Sequence, residues 1–192
     1  YQKEIEKIIN DCPKVEKLII LCSKADLPST QFSNVISYEE LLSMGNENFE
    51  WISGEETDAC GICYTSGTTG NPKGVVYTHR SNTLHALTQA APDMLNLSST
   101  DTIMPVVPLF HANGWSIAYT APLVGSAIVF PGGDLSPSSL YSMLEKGVTI
   151  TAAVPTVWLL LLNFLKSEKK ELSSLKRVVI GGSSCPRSVI ED

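Results

Sequence analysis

The sequence has little positive charge and few cysteines, and each shortage excludes a class of protein. Fourteen lysine and arginine residues stand against 20 aspartate and glutamate residues, for a net charge of −6, so no basic surface for nucleic-acid binding is expected. The five cysteines are an odd number in a chain of 192 residues. This number argues against a disulfide framework and favours a reducing, cytoplasmic location.

The charges that are present are unevenly spread. Residues 1–58 carry five basic and twelve acidic side chains, whereas residues 59–192 carry nine basic and eight acidic ones. A site for an anionic ligand is therefore expected in the second part of the chain.

The stretch from Thr102 to Gly133 contains no Asp, Glu, Lys or Arg, which raises the question of a membrane span. Four prolines, with Gly114 and Gly125, divide it into pieces shorter than the ~20 residues that a transmembrane helix needs. Pro155 interrupts the apolar stretch Gly147 to Leu165 in the same way. We therefore predict buried strand–helix–strand structure, while peripheral contact with a membrane stays open.

Short apolar runs alternate with helix-forming segments, a pattern that predicts alternating strands and helices. Because most runs are continuously apolar, they suit strands buried on both faces of a mainly parallel sheet. The predicted strands are Lys17 to Cys22, Gly61 to Thr65, Val75 to Thr78, Thr102 to Val107, Ser126 to Phe130, Thr149 to Ala152 and Arg177 to Ile180. The predicted helices are Gln2 to Asn10, Tyr38 to Met44, Ser81 to Ala91, Asn113 to Val124, Pro137 to Lys146, Pro155 to Leu165 and Pro186 onward. The fold class is thus α/β, with mostly parallel strands flanked by helices.

One segment, Ile62 to Tyr77, places hydroxyl side chains, glycines and a lysine between two predicted strands. Its glycines allow positive φ angles and a close approach of the backbone to a ligand. Backbone N–H groups and hydroxyls supply hydrogen-bond donors, and Lys73 adds a positive charge. This composition is typical of a loop that holds phosphate oxygens.

The spacing of this loop does not match a Walker-type P-loop. In the pattern G-x-x-x-x-G-K-[ST], the second glycine position holds Pro72 and the magnesium-binding hydroxyl position holds Gly74. The residues after Lys73 have strand character, so no helix N-terminus would cap the phosphates. A P-loop phosphotransferase or NTPase is disfavoured, and a hairpin without a ligand stays as the structural alternative.

The string from Tyr64 to Val75 resembles the phosphate-loop signature of the adenylate-forming superfamily, which comprises acyl-CoA synthetases, luciferases and peptide-synthetase adenylation domains. Two later strings follow in the family's order. Pro108 to Trp115 resembles the acyl-side P-x-F-H motif in the form met in fatty acyl-CoA synthetases, and Ile180 to Pro186 resembles the glycine turn beside adenine. The similarity extends from about Ser37 to Asp192.

The resemblance implies a two-step ligase that uses ATP, magnesium and coenzyme A. A carboxylate, in the first place a medium- or long-chain fatty acid, attacks the α-phosphate of ATP, and coenzyme A then attacks the acyl-adenylate. The first step demands in-line positioning and fixed donors for the leaving pyrophosphate. Acyl-AMP ligases, aryl-acid ligases, peptide-synthetase adenylation domains and non-catalytic nucleotide-binding modules remain alternatives.

The resemblance also implies roles for individual residues. Thr65 is expected to coordinate magnesium, and the phosphates are expected to lie against Ser66, Gly67, Thr68, Thr69, Gly70 and Lys73. His111 is expected to be catalytic, because it follows a predicted buried strand whose carboxyl end is the usual ligand edge; a buried core histidine is the alternative. Ala112 and Trp115 belong to the same motif, and Trp115, placed one helical turn beyond His111, either gates the acyl tunnel or simply packs. Adenine is expected to lie against Gly181, Gly182 and Ser183.

By the same resemblance, residues 1–192 form a partial N-terminal AMP-binding domain. They lack the family's Y-G-x-T-E segment, its ribose-binding aspartate and the C-terminal domain with the adenylation lysine. The part of the domain that precedes Tyr1 is also expected to be missing. We therefore expect the chain alone not to complete catalysis, and homodimerisation of a longer parent stays open.

Other motifs are weaker. Cys60 and Cys63 form a C-x-x-C, but a zinc site needs a second pair, and residues three apart on a strand point to opposite faces. No G-x-S-x-G elbow surrounds Ser66 or Ser183, which disfavours a serine hydrolase. His79 and His85 are interpreted as structural.

Overall fold

The computed structural model describes residues 2–67 and 70–191. The chain forms two compact units, Tyr1–Ser53 and Gly54–Asp192. Every residue that the sequence predicts for the site belongs to the second unit. Within the described ranges, no helix is long and apolar enough to cross a bilayer.

The first unit contains a short parallel sheet. Strand β1 (Leu18–Ile20) pairs with β2 (Val35–Ser37), and helix α2 (Tyr38–Ser43) follows directly. The Ser37 side chain caps α2 by accepting a hydrogen bond from the Glu40 N–H. The sequence did not predict β2, which is only three residues long. The unit also contains helix α1 (Gln2–Ile8) and 3-10 turns at Ile9–Asp11 and Lys24–Asp26.

The second unit begins with an antiparallel hairpin of β3 (Ala59–Thr65) and β4 (Lys73–Thr78). Its side chains Ile62, Tyr64 and Val76 are exposed. The expectation of buried parallel strands is therefore wrong for this pair. An apolar run alone does not distinguish a core strand from a hairpin whose apolar faces are open.

Four parallel strands form the main sheet in the order β6-β5-β7-β8. The two middle strands are almost fully buried, which confirms the α/β class and the interpretation of their continuous apolar runs. The strands are β5 (Thr102–Pro105), β6 (Ala127–Ile128), β7 (Ile150–Ala153) and β8 (Arg177–Ile180).

Two hydrophobic clusters cover the two faces of this sheet. Ile103 and Met104 are neighbours on β5, so they point to opposite faces, and each belongs to a different cluster. The Met104 cluster includes residues of α6 and α7, and the Ile103 cluster includes residues of α5. The right-handed helices of this unit are α3 (His79–Ala90), α5 (Ile117–Val124), α6 (Pro137–Leu144), α7 (Pro155–Glu168) and α8 (Arg187–Glu191), whereas the short segment α4 (Ala112–Trp115) has positive φ angles.

Asp101 ties together the amino ends of three strands. Its carboxylate accepts hydrogen bonds from the Thr149 hydroxyl (2.8 Å) and the Ser98 N–H (3.0 Å), and it pairs with the Arg177 guanidinium (2.8 Å). Asp101 precedes β5, Thr149 precedes β7 and Arg177 begins β8. Burial raises the pKa of Asp101, but the hydrogen bonds from Thr149 and Ser98 and the charge of Arg177 outweigh it, and the pKa lies below its ordinary value.

The substitution Asp101→Asn should lower the free energy of unfolding by about 2 kcal/mol at pH 7, because it leaves the half-buried Arg177 without its counter-ion. A folded-state pKa below the unfolded value, which is about 3.9, means that this stability is complete above the unfolded pKa. It is lost as the pH falls through the folded value. Urea unfolding at a series of pH values should therefore show the difference between wild type and variant shrinking in acid.

The exposed Asp93→Asn is the matched control for this measurement. A difference between wild type and Asp101→Asn that stays constant down to pH 3 would contradict the assignment.

Candidate functional site

The carboxyl ends of β5, β7 and β8 bring the acyl-side motif and the glycine turn to one edge of the sheet. After β5, the N–H groups of Val106 and Val107 donate to the Ala152 carbonyl at 2.9 and 3.3 Å. After β8, the Gly181 N–H donates to the Ala153 carbonyl at 3.4 Å. The two motifs therefore leave the strands on either side of β7, at the carboxyl ends where ligands bind in open α/β folds.

The predicted phosphate loop connects β3 to β4. Thr65 and Lys73 are cross-strand partners, so their side chains project from the same face of the hairpin. Gly67 has φ +65°, and a Cβ at this position would lie 2.6 Å from the Asn71 carbonyl oxygen, so the turn requires glycine. The same Cβ would lie 3.9 Å from Lys73 Cγ, which places the lysine stem against the loop. Ser66 and Gly70 are exposed, and Thr68 and Thr69 lie outside the described residues.

Cys63 joins the hairpin to the acyl-side motif. Its thiol donates a hydrogen bond to the backbone carbonyl of Phe110, with a distance of 3.5 Å between Sγ and the oxygen. Thr65 lies two residues further along β3 and therefore on the same face as Cys63. The face that carries Thr65 and Lys73 is thus turned toward the segment that leads to His111.

The C-x-x-C sequence holds no metal-site geometry. Cys60 and Cys63 are both free thiols, and Cys60 accepts a hydrogen bond from the Asn82 amide at 3.1 Å. No group of three or more His, Cys, Asp or Glu side chains suited to a metal ion occurs in the described part of the chain.

His111 is exposed at the carboxyl edge of the sheet, so the alternative of a buried core histidine is wrong. Its N–H donates to the Pro108 carbonyl (3.0 Å), and its own carbonyl accepts from the Gly114 N–H (3.0 Å). These two bonds fix the backbone around His111 and leave the imidazole available to a ligand.

The chain after His111 forms a left-handed turn, which corrects the predicted helix Asn113 to Val124. Ala112, Asn113, Gly114, Trp115 and Ser116 have φ angles of 45°, 54°, 61°, 55° and 61°. The right-handed helix α5 begins only at Ile117. A left-handed conformation costs roughly 1–2 kcal/mol for each residue with a Cβ, so the surrounding structure must hold this turn in place.

The left-handed turn brings Trp115 against the glycine turn, instead of placing it one right-handed helical turn beyond His111. A Cβ on Gly181 would lie 2.8 Å from Trp115 Cη2 and 3.1 Å from Cζ2, so the indole rests directly on the Gly181 backbone. Gly182 follows with φ +85°, and Ser183 is exposed. Residues expected on the acyl side and on the adenine side therefore touch each other.

A cavity of about 520 Å³ lies between α3 and the left-handed turn. Residues of α3 form one wall of this cavity, the α3 wall, which was not predicted from the sequence. His85, which belongs to it, was interpreted there as structural. The residues of this wall recur on one helical face, and that spacing is the signal that could have revealed it. The α3 wall consists of Ser81, Asn82, His85 and Gln89, and the other lining residues are Tyr77, Ala112, Asn113, Trp115 and Ser116.

These features define an α/β protein with a Gly/Ser/Thr hairpin loop, an exposed histidine and a glycine turn around one edge of its sheet. The sequence model of the family described as AMP-binding enzyme matches residues 2–192. The chain belongs to this family, which confirms the resemblance drawn from its motifs.

Individual relatives agree with this assignment. The chain is 45% identical over 189 residues to a medium-chain-fatty-acid–CoA ligase of Ectopseudomonas oleovorans, an alignment that covers 98% of this chain and 35% of the relative. It is 43% identical over 187 residues to a long-chain-fatty-acid–CoA ligase of Thermus thermophilus, covering 97% and 33%. The crystal structure of a long-chain-fatty-acid-CoA ligase from Archaeoglobus fulgidus superposes with a TM-score of 0.77 at 29% identity, covering 99% of this chain and 40% of that one. The chain thus spans about a third of the length of the curated relatives it matches.

The contact between Trp115 and Gly181 predicts a specific energetic coupling. Gly181→Ala should lower the free energy of unfolding by about 1–3 kcal/mol, because its methyl group would overlap the indole. In a Trp115→Ala background the same change should cost almost nothing, and a double-mutant cycle measured by urea unfolding gives the difference. Gly133→Ala is the control, because a Cβ there meets nothing within 4 Å. Equal costs of Gly181→Ala in both backgrounds would contradict the contact.

Proposed function

We propose that the chain is part of the N-terminal domain of an AMP-forming acid–thiol ligase. In this proposal the longer protein activates a medium- or long-chain fatty acid with ATP and transfers the acyl group to coenzyme A. The observation that carries it is the Thr65–Lys73 pair, which shares a hairpin face with Cys63 and so faces the segment leading to His111. The names of the three relatives reported above, each a medium- or long-chain-fatty-acid–CoA ligase, support the substrate class.

The hairpin loop would hold the β- and γ-phosphates of ATP. Lys73 supplies a positive charge beside the loop, and preorganised donors next to the leaving pyrophosphate stabilise the charge that develops there. The Thr65 hydroxyl is a hard oxygen ligand that suits Mg²⁺, which usually keeps water and phosphate oxygens in its remaining positions. Magnesium would supply further neutralisation of the phosphate charge. Because the described residues offer no acidic cluster, a carboxylate ligand would come from elsewhere in the longer protein.

The acyl group would lie on the other side of the same edge. His111 is exposed there and would contact the reacting carboxylate, and the cavity beside Ala112 and Trp115 would receive the tail. The turn of Gly181, Gly182 and Ser183 would border the adenine. In this proposal the carboxylate would lie between the phosphate loop and the cavity for its tail, which accords with an in-line attack.

The proposal also covers the location of the protein, its contacts with membranes or a second copy, and the activity of this chain alone. A cytoplasmic location accords with the five free cysteines. Peripheral membrane contact and a homodimer of the longer protein stay hypotheses, because no surface of residues 2–67 and 70–191 is assigned to either. The chain by itself is proposed to be inactive, so the activity tests below use the complete protein.

Lys73→Ala should reduce the rate of acyl-adenylate formation about a hundredfold in the complete protein, by analogy with the loss of one preorganised donor at a developing charge. Pyrophosphate exchange into ATP, with a saturating fatty acid, measures this step. Lys176→Ala is the matched control, because Lys176 is exposed and lies directly before β8, outside the hairpin. Unchanged exchange in Lys73→Ala would remove the basis of the proposed function.

Trp115→Ala should change the preference for acyl chain length more than the affinity for ATP, because the indole lines the tail cavity. Ratios of kcat/KM across fatty acids of graded length, with the KM for ATP measured in parallel, give both quantities. Trp51→Ala, which removes an exposed tryptophan of the first unit, is the control. An unaltered length profile would assign Trp115 to packing alone.

A further inference from the structure

The cavity between α3 and the left-handed turn is lined by a mostly buried glutamine whose carboxamide hydrogen-bonds to protein at one end only. Gln89 lines the cavity and is 8% exposed. The oxygen end of its carboxamide lies 3.1 Å from the hydroxyl of Thr120 on α5. The other end, Nε2, has no hydrogen-bond partner among residues 2–67 and 70–191. Nε2 is not fully buried, so water in the cavity can satisfy it, and a ligand that displaces this water must either replace the hydrogen bond or leave Nε2 without one.

Gln89 lies deep along the α3 wall. It is eight residues beyond Ser81, which corresponds to about 12 Å of helix rise, and it shares a helical face with Ser81 and His85. The rings of Tyr77 and Trp115 line the same cavity. Cavities that combine apolar rings with a few placed polar groups bind a mainly apolar ligand and use the polar groups for specificity.

Thr120 holds the carboxamide in a fixed orientation. Its hydroxyl is buried and lies 3.1 Å from both the Gln89 Oε1 and the Ser116 carbonyl. When the hydroxyl proton goes to Oε1, Thr120 fixes this end of the carboxamide and leaves Nε2 as the free end. The opposite end is thus preoriented for a ligand, and no side chain need be ordered when the ligand binds.

We propose that Gln89 determines specificity by selecting acids whose tail carries a hydroxyl or keto oxygen over the unsubstituted acid of the same length. This inference rests on the proposed function, since it takes the cavity as the place of the acyl tail. An oxygen on the tail completes the hydrogen bonds of the buried carboxamide, whereas an alkyl tail displaces water from it and offers nothing in return.

The test compares decanoate with a positional series of monohydroxydecanoates in the complete protein. Two readouts are used: kcat/KM for pyrophosphate release, and affinity from isothermal titration calorimetry with the acid alone. Wild type should favour at least one hydroxy isomer over decanoate. Gln89→Met, which keeps the length of the side chain and removes its polar atoms, should lower that ratio about tenfold, as expected for one hydrogen bond.

Two further variants distinguish recognition of the tail by Gln89 from a structural role of its contact with α5. Gln89→Leu repeats the test with a second apolar side chain if the methionine variant unfolds early in a thermal melt. Thr120→Val removes the same contact between α3 and α5 but keeps the carboxamide, so it loses only the preorientation and should lower the ratio less than Gln89→Met does. An unchanged ratio in both Gln89 variants, or an equal fall in Thr120→Val, overturns the inference.

The two proposals fail in different ways. If acids are activated and the hydroxy-to-plain ratio does not depend on Gln89, the inference alone is wrong. If no acid of the series releases pyrophosphate or binds in the calorimeter, the proposed function fails and the inference fails with it.

Discussion

The parallel alignment of β5, β7 and β8 is the constraint on which the candidate site depends. Because parallel strands end at the same edge, the segments that follow β5 and β8 are brought together although they are far apart in sequence. The buried Asp101 network holds the opposite ends of the same strands in register. The stability of one edge of the sheet thereby supports the geometry of the other.

The left-handed turn from Ala112 to Ser116 shows how much strain this edge contains. Four of its five residues have a Cβ, so the conformation costs about 4–8 kcal/mol in total, an amount comparable with the whole stability of many domains. Such a conformation persists only where surrounding contacts over-determine it. The packing of Trp115 on Gly181 and the burial of Gly114 and Ser116 supply such contacts. The result is a tryptophan that lines the cavity beside α3 and also contacts the glycine turn.

The features that could be predicted from the sequence are those whose residues lie within one contiguous segment. The phosphate loop is one contiguous string between two strands, and the middle strands of the sheet are uninterrupted apolar runs, so both could be recognised locally. The features that could not be predicted are those whose conformation depends on packing against residues distant in the chain. The exposed antiparallel hairpin, the three-residue strand β2 and the reversal of handedness after His111 all have local sequences that fit other structures equally well.

The sequence by itself determined the α/β class, the family and the types of chemical group that the site contains, because these depend on residue identity and short spacings. Only the tertiary structure decided which groups meet. It paired Thr65 with Lys73, placed Trp115 on Gly181 and left one end of the Gln89 carboxamide without a protein partner among the described residues, in the wall of a cavity. Contacts between residues distant in the chain arise from the packing of whole elements, and no local pattern records them.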